Sequence, residues 1–139
     1  MIHSRAMKLM VMVFALLGTF SISSCGSGSK TTRADACRVL NLARGASLDL
    51  SFASMRQDPK DLTKFLPLTK ETINKYEEVI QSLNDLAIAL GTGDKADLAK
   101  QYADDLGRQF SEAKQGLPSM ESAAAISNDM TRVTALCGY

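Results

Sequence analysis

The sequence predicts an all-α domain, an up-and-down four-helix bundle closed by one disulfide, which follows an N-terminal signal segment and a flexible tether. Apolar residues between 69 and 90 recur at alternating spacings of three and four, the heptad period of a helix that packs against other helices. The prolines and most glycines after residue 33 fall where helices would begin or end. Cys37 and Cys137 lie near the two ends of this part of the chain. Their pairing would require an even number of long helices.

Residues 1–24 have the organisation of an export signal. Arg5 and Lys8 precede the run LMVMVFALLGTF at residues 9–20, which is a charged region followed by an apolar one. As a helix this run would span roughly 18 Å, well short of the ~30 Å hydrocarbon core of a bilayer. A removable signal is therefore the better interpretation than a permanent transmembrane helix.

Ile22, Ser23, Ser24 and Cys25 follow the apolar run, and they resemble the lipobox of bacterial lipoproteins. The resemblance implies that the Cys25 sulfur receives a diacylglyceryl group and that cleavage occurs just before this residue. Because two acyl chains anchor a protein stably where one does not, such a protein stays on its membrane. The alternative is ordinary cleavage within 21–24, which would leave Cys25 as a plain thiol.

The resulting domain organisation has three parts. Residues 1–24 are the signal peptide, residues 25–33 are the lipidated cysteine and a Gly/Ser tether, and residues 34–139 are the helical bundle domain. The tether residues are small or polar. A flexible coil of this length spans roughly 15 Å, which would hold the domain just clear of the lipid headgroups.

The first helix is predicted over residues 34–55. Leu48, Leu50 and Phe52 also alternate as they would in a short strand, but no other segment looks like a strand partner. Asp58 and Pro59 predict the cap and first residue of a short helical turn that extends through Leu66. Apolar residues recur at helical spacing in the first helix, at Cys37, Leu40, Ala43 and Leu50.

The second helix is predicted over residues 69–90 and ends at the glycines of 91–93. Glu71 and Lys75 are four residues apart, the spacing of a surface ion pair. The predicted buried seam consists of Ile73, Tyr76, Ile80, Leu83, Ala87 and Leu90, widened by Val79 and Leu86.

Asp94 is the predicted N-cap of the third helix, which closes near Gly116 and Pro118. Ser119 is the predicted cap of the fourth helix, with Gly138 just past its end. The third helix is expected to bury Ala99, Tyr102, Leu106, Phe110, Ala113 and Leu117, and the fourth Ala123, Ile126, Met130, Val133 and Cys137. The opposite face of the third helix alternates in charge and predicts a solvated strip of Lys100, Asp104, Arg108 and Glu112.

Three cysteines are an odd number for an exported protein, and lipid on Cys25 resolves this. Cys37 and Cys137 then remain in a compartment where disulfides persist. Their Cα atoms must approach within about 7 Å to bond, so the first helix must start where the last one ends. A bundle of four helices that alternate in direction satisfies this requirement, whereas a bundle of three does not. The alternative interpretation is two buried free thiols.

Composition excludes several function classes. Removing residues 1–24 leaves 14 basic and 15 acidic residues, so no broad basic field remains and we expect no nucleic-acid partner. His3 is the single histidine and leaves with the signal, which rules out catalytic arrangements and di-iron sites that depend on His. We expect no catalytic residues, no metal site, no cofactor and no enzymatic activity.

One segment combines large apolar residues with a proline-broken connection. Leu62, Phe65, Leu66 and Leu68 lie where loops are normally polar. Either this segment caps the end of the bundle, or it is exposed and is the candidate partner contact.

The sequence thus predicts a lipid-anchored protein on the extracytoplasmic face of the cell membrane, or of the outer membrane in a Gram-negative cell. The predicted function is a non-enzymatic interaction module whose partner is another envelope protein. The alternative is a carrier or sensor that holds an apolar small molecule between its helices. A cysteine near each end of a helical domain resembles small uncharacterised envelope lipoproteins of actinobacteria, a likeness that transfers no site.

Overall fold

The computed structural model describes residues 33–138, which contain four helices and one two-stranded sheet. A mainly helical domain with four helices is thereby confirmed. The helices are α1 (Arg33–Ser54), α2 (Lys70–Leu90), α3 (Asp94–Lys114) and α4 (Met120–Cys137), and between α1 and α2 lie the strands β1 (Gln57–Asp58) and β2 (Asp61–Phe65).

Helix α1 is continuous through the segment whose residues alternate like a strand. Leu48 and Phe52 are exposed, whereas Leu50 is buried. The buried face repeats at spacings of four and three, as a bundle helix requires. Its members are Ala36, Leu40, Ala43, Ser47, Leu50 and Ser54.

The prediction of a helical turn after Asp58 is wrong, because this segment forms an antiparallel hairpin. Oδ1 of Asp58 accepts a hydrogen bond from the Lys60 N–H (2.8 Å), which closes a turn around Pro59. Oδ1 of Asp61 accepts from the Thr63 N–H (3.1 Å). These two aspartates satisfy local backbone donors in a turn, an arrangement that competes with helix formation.

Helix α2 begins and ends as predicted. Oγ1 of Thr69 accepts from the Thr72 N–H (3.2 Å), and Gly91 (φ +73°) caps the other end by donating to the Ala87 carbonyl (3.0 Å). Tyr76 and Leu83 of the predicted seam are fully buried, and Val79 and Leu86 beside them are also buried. The ion pair that forms on this helix joins Lys75 to Glu78 (3.8 Å), not to Glu71 as predicted.

The two remaining helices differ from the prediction in detail. Gly93 (φ +105°), not Asp94, is the N-cap of α3, and Asp94 is the first helical residue, where its charge suits the helix dipole. Leu117 follows the end of α3 and is exposed, so its assignment to the core is wrong. Ser119 caps α4 as predicted, its Oγ accepting from the Ser122 N–H (3.1 Å).

Helix α3 is central to the packing. It contacts α1, α2 and α4, while α1 also contacts α2 and α4. Among the described residues, no helix is both long enough and apolar enough to cross a membrane.

Candidate interaction surface

The two cysteines of the helical domain lie side by side. The sulfur atoms of Cys37 and Cys137 are 2.11 Å apart and the Cα atoms 5.4 Å apart, which is the geometry of a disulfide. The start of α1 and the end of α4 therefore share one end of the domain. Cys25, the predicted lipidation site, lies outside the described residues.

A buried polar cluster marks the other end of the domain. The Tyr76 hydroxyl on α2 lies 2.8 Å from Oε1 of Gln109 on α3 and 3.0 Å from the carbonyl of Leu50 on α1. Nε2 of Gln109 donates to Oγ of Ser51 (3.1 Å), and the Tyr76 ring stacks on Phe110 at 4.9 Å. Burial raises the pKa of Tyr76 to about 12, against a smaller opposing hydrogen bond from Ser54. The last turns of α1 and α3 and the first turns of α2 therefore meet here.

The turn between α3 and α4 is tied to the same end. Oε2 of Glu112 accepts hydrogen bonds from Oγ of Ser119 and from Oγ of Ser122, both at 2.8 Å. Burial acts to raise the pKa of Glu112, but the hydrogen bonds from Ser122 and Ser119 outweigh it and the pKa is lowered. A charged acceptor thus fixes the start of α4 against the last turns of α3.

A second buried polar contact joins α1 and α3 nearer the middle of the helices. Oγ of Ser47 donates to the Ala43 carbonyl (2.7 Å), so the Tyr102 hydroxyl is the donor in its hydrogen bond with Ser47. Burial raises the pKa of Tyr102 to about 12. Both tyrosines are therefore neutral at physiological pH, and their hydroxyl groups join neighbouring helices through hydrogen bonds.

The predicted contact segment is divided between surface and core. Leu62, on β2, is exposed. Phe65 and Leu66 are half-buried, and Leu68 packs against the hydrophobic core. Of the four predicted residues, Leu62 is thus the one that offers most of its surface to a partner.

Other large apolar side chains are exposed at the same end as the hairpin. Phe52 is in the last turn of α1, while Leu117 and Met120 flank Ser119. We name these residues, with Leu62, the apolar end of the domain. Their exposed fractions are 74% for Phe52, 68% for Leu62, 68% for Leu117 and 78% for Met120.

Comparisons with protein-family models, with curated proteins and with solved structures found no match for this chain. The surface must therefore be interpreted from its own chemistry. In the part of the chain that the structure describes, no group of three or more His, Cys, Asp or Glu residues is placed to hold a metal ion.

Two clefts lie along the groove between α1 and α2. One has a volume of about 500 Å³ and is lined by charged and polar groups that include Asp49, Glu71 and Lys75. The other, of about 370 Å³, includes Leu42 and Val39 but is bordered by Arg38 and again by Lys75. Charged side chains at both clefts suit a solvated groove better than a pocket for an apolar ligand.

Sequence analysis missed the polar residues of the core and most of the apolar end. Gln109 was not recognised, although it lies three residues after Leu106 in the buried stripe of α3. Asp129 occupies the 4-3-4 seam of α4 together with Ser122, Ile126 and Val133, all buried. The helical spacing of these residues therefore indicated burial, but their polar side chains argued against it.

Proposed function

We propose that the chain is a membrane-anchored extracytoplasmic lipoprotein whose helical domain is a non-enzymatic interaction module of the cell envelope. The observation that carries this is the distribution of the three cysteines. Cys37 and Cys137 lie at disulfide distance in the helical domain, so Cys25 is the remaining cysteine of the three. Its place after Ile22, Ser23 and Ser24 and a short apolar run is that of a lipidated cysteine.

We further propose that the four helices form an up-and-down bundle. Cys37 beside Cys137 brings the start of α1 to the end of α4, and Tyr76 stacked on Phe110 joins the beginning of α2 to the end of α3. Each pairing agrees with helices that alternate in direction along the chain. In this arrangement the start of α1 and the end of α4 share one end of the domain, and the apolar end lies at the other.

This arrangement suits a protein that reaches a partner from a membrane. The predicted anchor precedes α1 in the sequence, whereas Phe52, Leu62, Leu117 and Met120 lie in or after the last turn of α1 and are exposed. Large apolar side chains that are exposed at one end of a domain are candidates for protein contacts. The alternative, a carrier of an apolar molecule, would need an enclosed apolar cavity, and the clefts between α1 and α2 are bordered by charged groups.

Anchoring is tested by fractionating cells that express the full chain. We expect the wild type to stay in the membrane fraction after a high-salt wash and to incorporate labelled palmitate, and Cys25→Ser to lose the label. The double variant Cys37→Ser/Cys137→Ser is the matched control and should keep both properties. Complete release of the wild type into the soluble fraction would contradict the proposal.

Interaction is tested by crosslinking in intact cells followed by mass spectrometry. We expect Leu62→Asp and Phe52→Asp to lose a crosslinked envelope protein that the wild type captures. Ile88→Asp is the matched control, because Ile88 is 81% exposed on the last turns of α2, at the opposite end. Loss of the partner with Ile88→Asp alone would place the contact elsewhere and overturn the assignment of the apolar end.

A further inference from the structure

Asp129 on α4 has a carboxyl group that is removed from solvent. It lies on the core seam between Ile126 and Val133 and is 0% exposed. Among the described residues, no N–H or hydroxyl group donates a hydrogen bond to either of its carboxyl oxygens. Burying a charged carboxylate without a partner is strongly unfavourable, whereas a neutral carboxylic acid is tolerated more easily.

The charged and titratable groups around Asp129 come from three helices. Asp105 and Tyr102 face it from α3, Arg132 lies on its own helix, and Arg44 reaches the same cluster from α1. The cations have other acceptors, since Arg132 donates to Oε1 of Gln101 (2.7 Å) and Arg44 to Oγ1 of Thr134 (2.8 Å).

Asp105 is the neighbour whose charge matters most. It is a second acid opposite the first, and its own ion pair with Arg108 is long, at 3.7 Å. Burial raises the pKa of Asp129, and the facing Asp105 raises it further, to about 7. The positive charge of Arg132 lowers this pKa, but by less. A pKa near 7 means that the neutral and the charged forms of this buried acid have similar populations near neutral pH.

We propose that Asp129 and Asp105 form a proton-sensitive contact across the interface between α3 and α4. With Asp129 protonated, its hydrogen is available to the Asp105 carboxylate and the two helices pack as observed. When the proton leaves to solvent, two negative charges face each other in a buried interface and the folded state is destabilised. This behaviour belongs to the helical domain and is independent of the lipid anchor.

The sign of the pH dependence follows from the raised pKa. In the unfolded chain Asp129 ionises near 3.8, its ordinary value, so between that pH and about 7 the folded state holds one more proton. The contribution is complete below the unfolded pKa and is lost as pH rises through the folded pKa. For this group, the folded-to-unfolded ratio falls by about tenfold for each pH unit within that window.

The test is urea unfolding of the full chain, followed by circular dichroism at 222 nm between pH 5 and 8. We expect the wild type to lose stability as pH rises, and Asp129→Asn to flatten the profile and to be more stable than the wild type at pH 8. Asp104→Asn is the matched control, because Asp104 is exposed on α3 beside Asp105. It should keep the wild-type slope.

Titration of the wild type by carboxyl-carbon NMR gives a result that does not depend on the variants folding. We expect the Asp129 signal to titrate near pH 7 and, in Asp105→Asn, at a clearly lower pH. A midpoint for Asp129 at or below about 4 in the folded wild type, or a profile that Asp129→Asn leaves unchanged, would overturn the proposal.

Discussion

The hydroxyl of Tyr76 on α2 lies 2.8 Å from Oε1 of Gln109 on α3, and both side chains are fully buried. A buried acceptor that loses its donor retains the cost of its removal from water, about 1–3 kcal/mol. The contact therefore fixes which turn of α2 meets which turn of α3. The folded state depends on both partners.

We predict that Tyr76→Phe and Gln109→Leu each lower the free energy of unfolding by about 1–2 kcal/mol. The double variant should lose less than the sum of the two, because each single change already breaks the shared contact. Urea unfolding measures all four proteins of the cycle. Gln115→Ala, exposed just after α3, should change stability by no more than about 0.5 kcal/mol, and strict additivity in the cycle would contradict the prediction.

Cys37 and Cys137 lie at disulfide distance and are separated by 100 residues in the sequence. In the chain-entropy account, such a crosslink stabilises the folded state by about 4.7 kcal/mol by restricting the unfolded chain. We predict that Cys37→Ser/Cys137→Ser lowers the unfolding midpoint strongly, and that a reducing agent has the same effect on the wild type. Non-reducing mass spectrometry should recover one peptide pair containing both residues. Two alkylatable thiols in this domain, in folded and unreduced protein, would refute the link.

Leu62 and Leu68 lie six residues apart but differ in burial, since Leu62 is exposed and Leu68 packs on the core. We predict that Leu62→Asp changes the thermal midpoint little, corresponding to no more than about 0.5 kcal/mol. Leu68→Asp should cost about 1–3 kcal/mol, because it places a charge against apolar side chains. Differential scanning calorimetry distinguishes the two. Equal losses would mean that the hairpin packs on the domain along its whole length.

The capping group of α4 predicts a separate loss of stability in acid. The folded-state pKa of Glu112 is lowered, against the effect of burial, by hydrogen bonds from Ser122 and Ser119. The contribution of Glu112 to the stability of the folded state is therefore present above 4.5, the pKa of the unfolded chain, and is lost as pH falls through the pKa of the folded state. This is the opposite direction to Asp129, so stability should be greatest at mildly acidic pH.

We predict that Ser119→Ala costs about 1 kcal/mol at neutral pH, as the loss of an N-cap does. It should also weaken the acid-dependent loss, because Glu112 keeps one hydroxyl donor instead of two. Thermal unfolding at pH 3 and pH 6 measures both effects. Ser127→Ala, exposed on the same helix, is the control. If Ser119→Ala loses as much stability between pH 6 and pH 3 as the wild type does, the hydrogen bond from Ser119 does not lower the pKa of Glu112, and the prediction is wrong.

The sequence by itself determined the helices, because their ends are set locally. Thr69, Gly91 and Ser119 act through hydrogen bonds and φ angles within a few residues. The heptad spacing of α2 can likewise be recognised from the sequence of that helix alone. The pairing of Cys37 with Cys137 was predicted by assigning Cys25 to lipid, and the even number of helices was then inferred from that pairing. The hairpin was not predicted because Asp58–Pro59 can start either a turn or a helix. Which of the two forms depends on backbone hydrogen bonds to residues farther along the chain. One of these is the bond that the Leu66 N–H donates to the Arg56 carbonyl (2.7 Å).

Only the tertiary structure decided which polar residues are buried and which apolar residues are exposed. Ser47, Gln109 and Asp129 lie on helical seams, but a seam position is tolerable for a polar group only if a neighbouring helix supplies a partner or a proton. Phe52 has an apolar side chain but lies off the seam, where none of the described helices covers it. Burial is a property of the assembled helices, and no single helix encodes the neighbour it will meet.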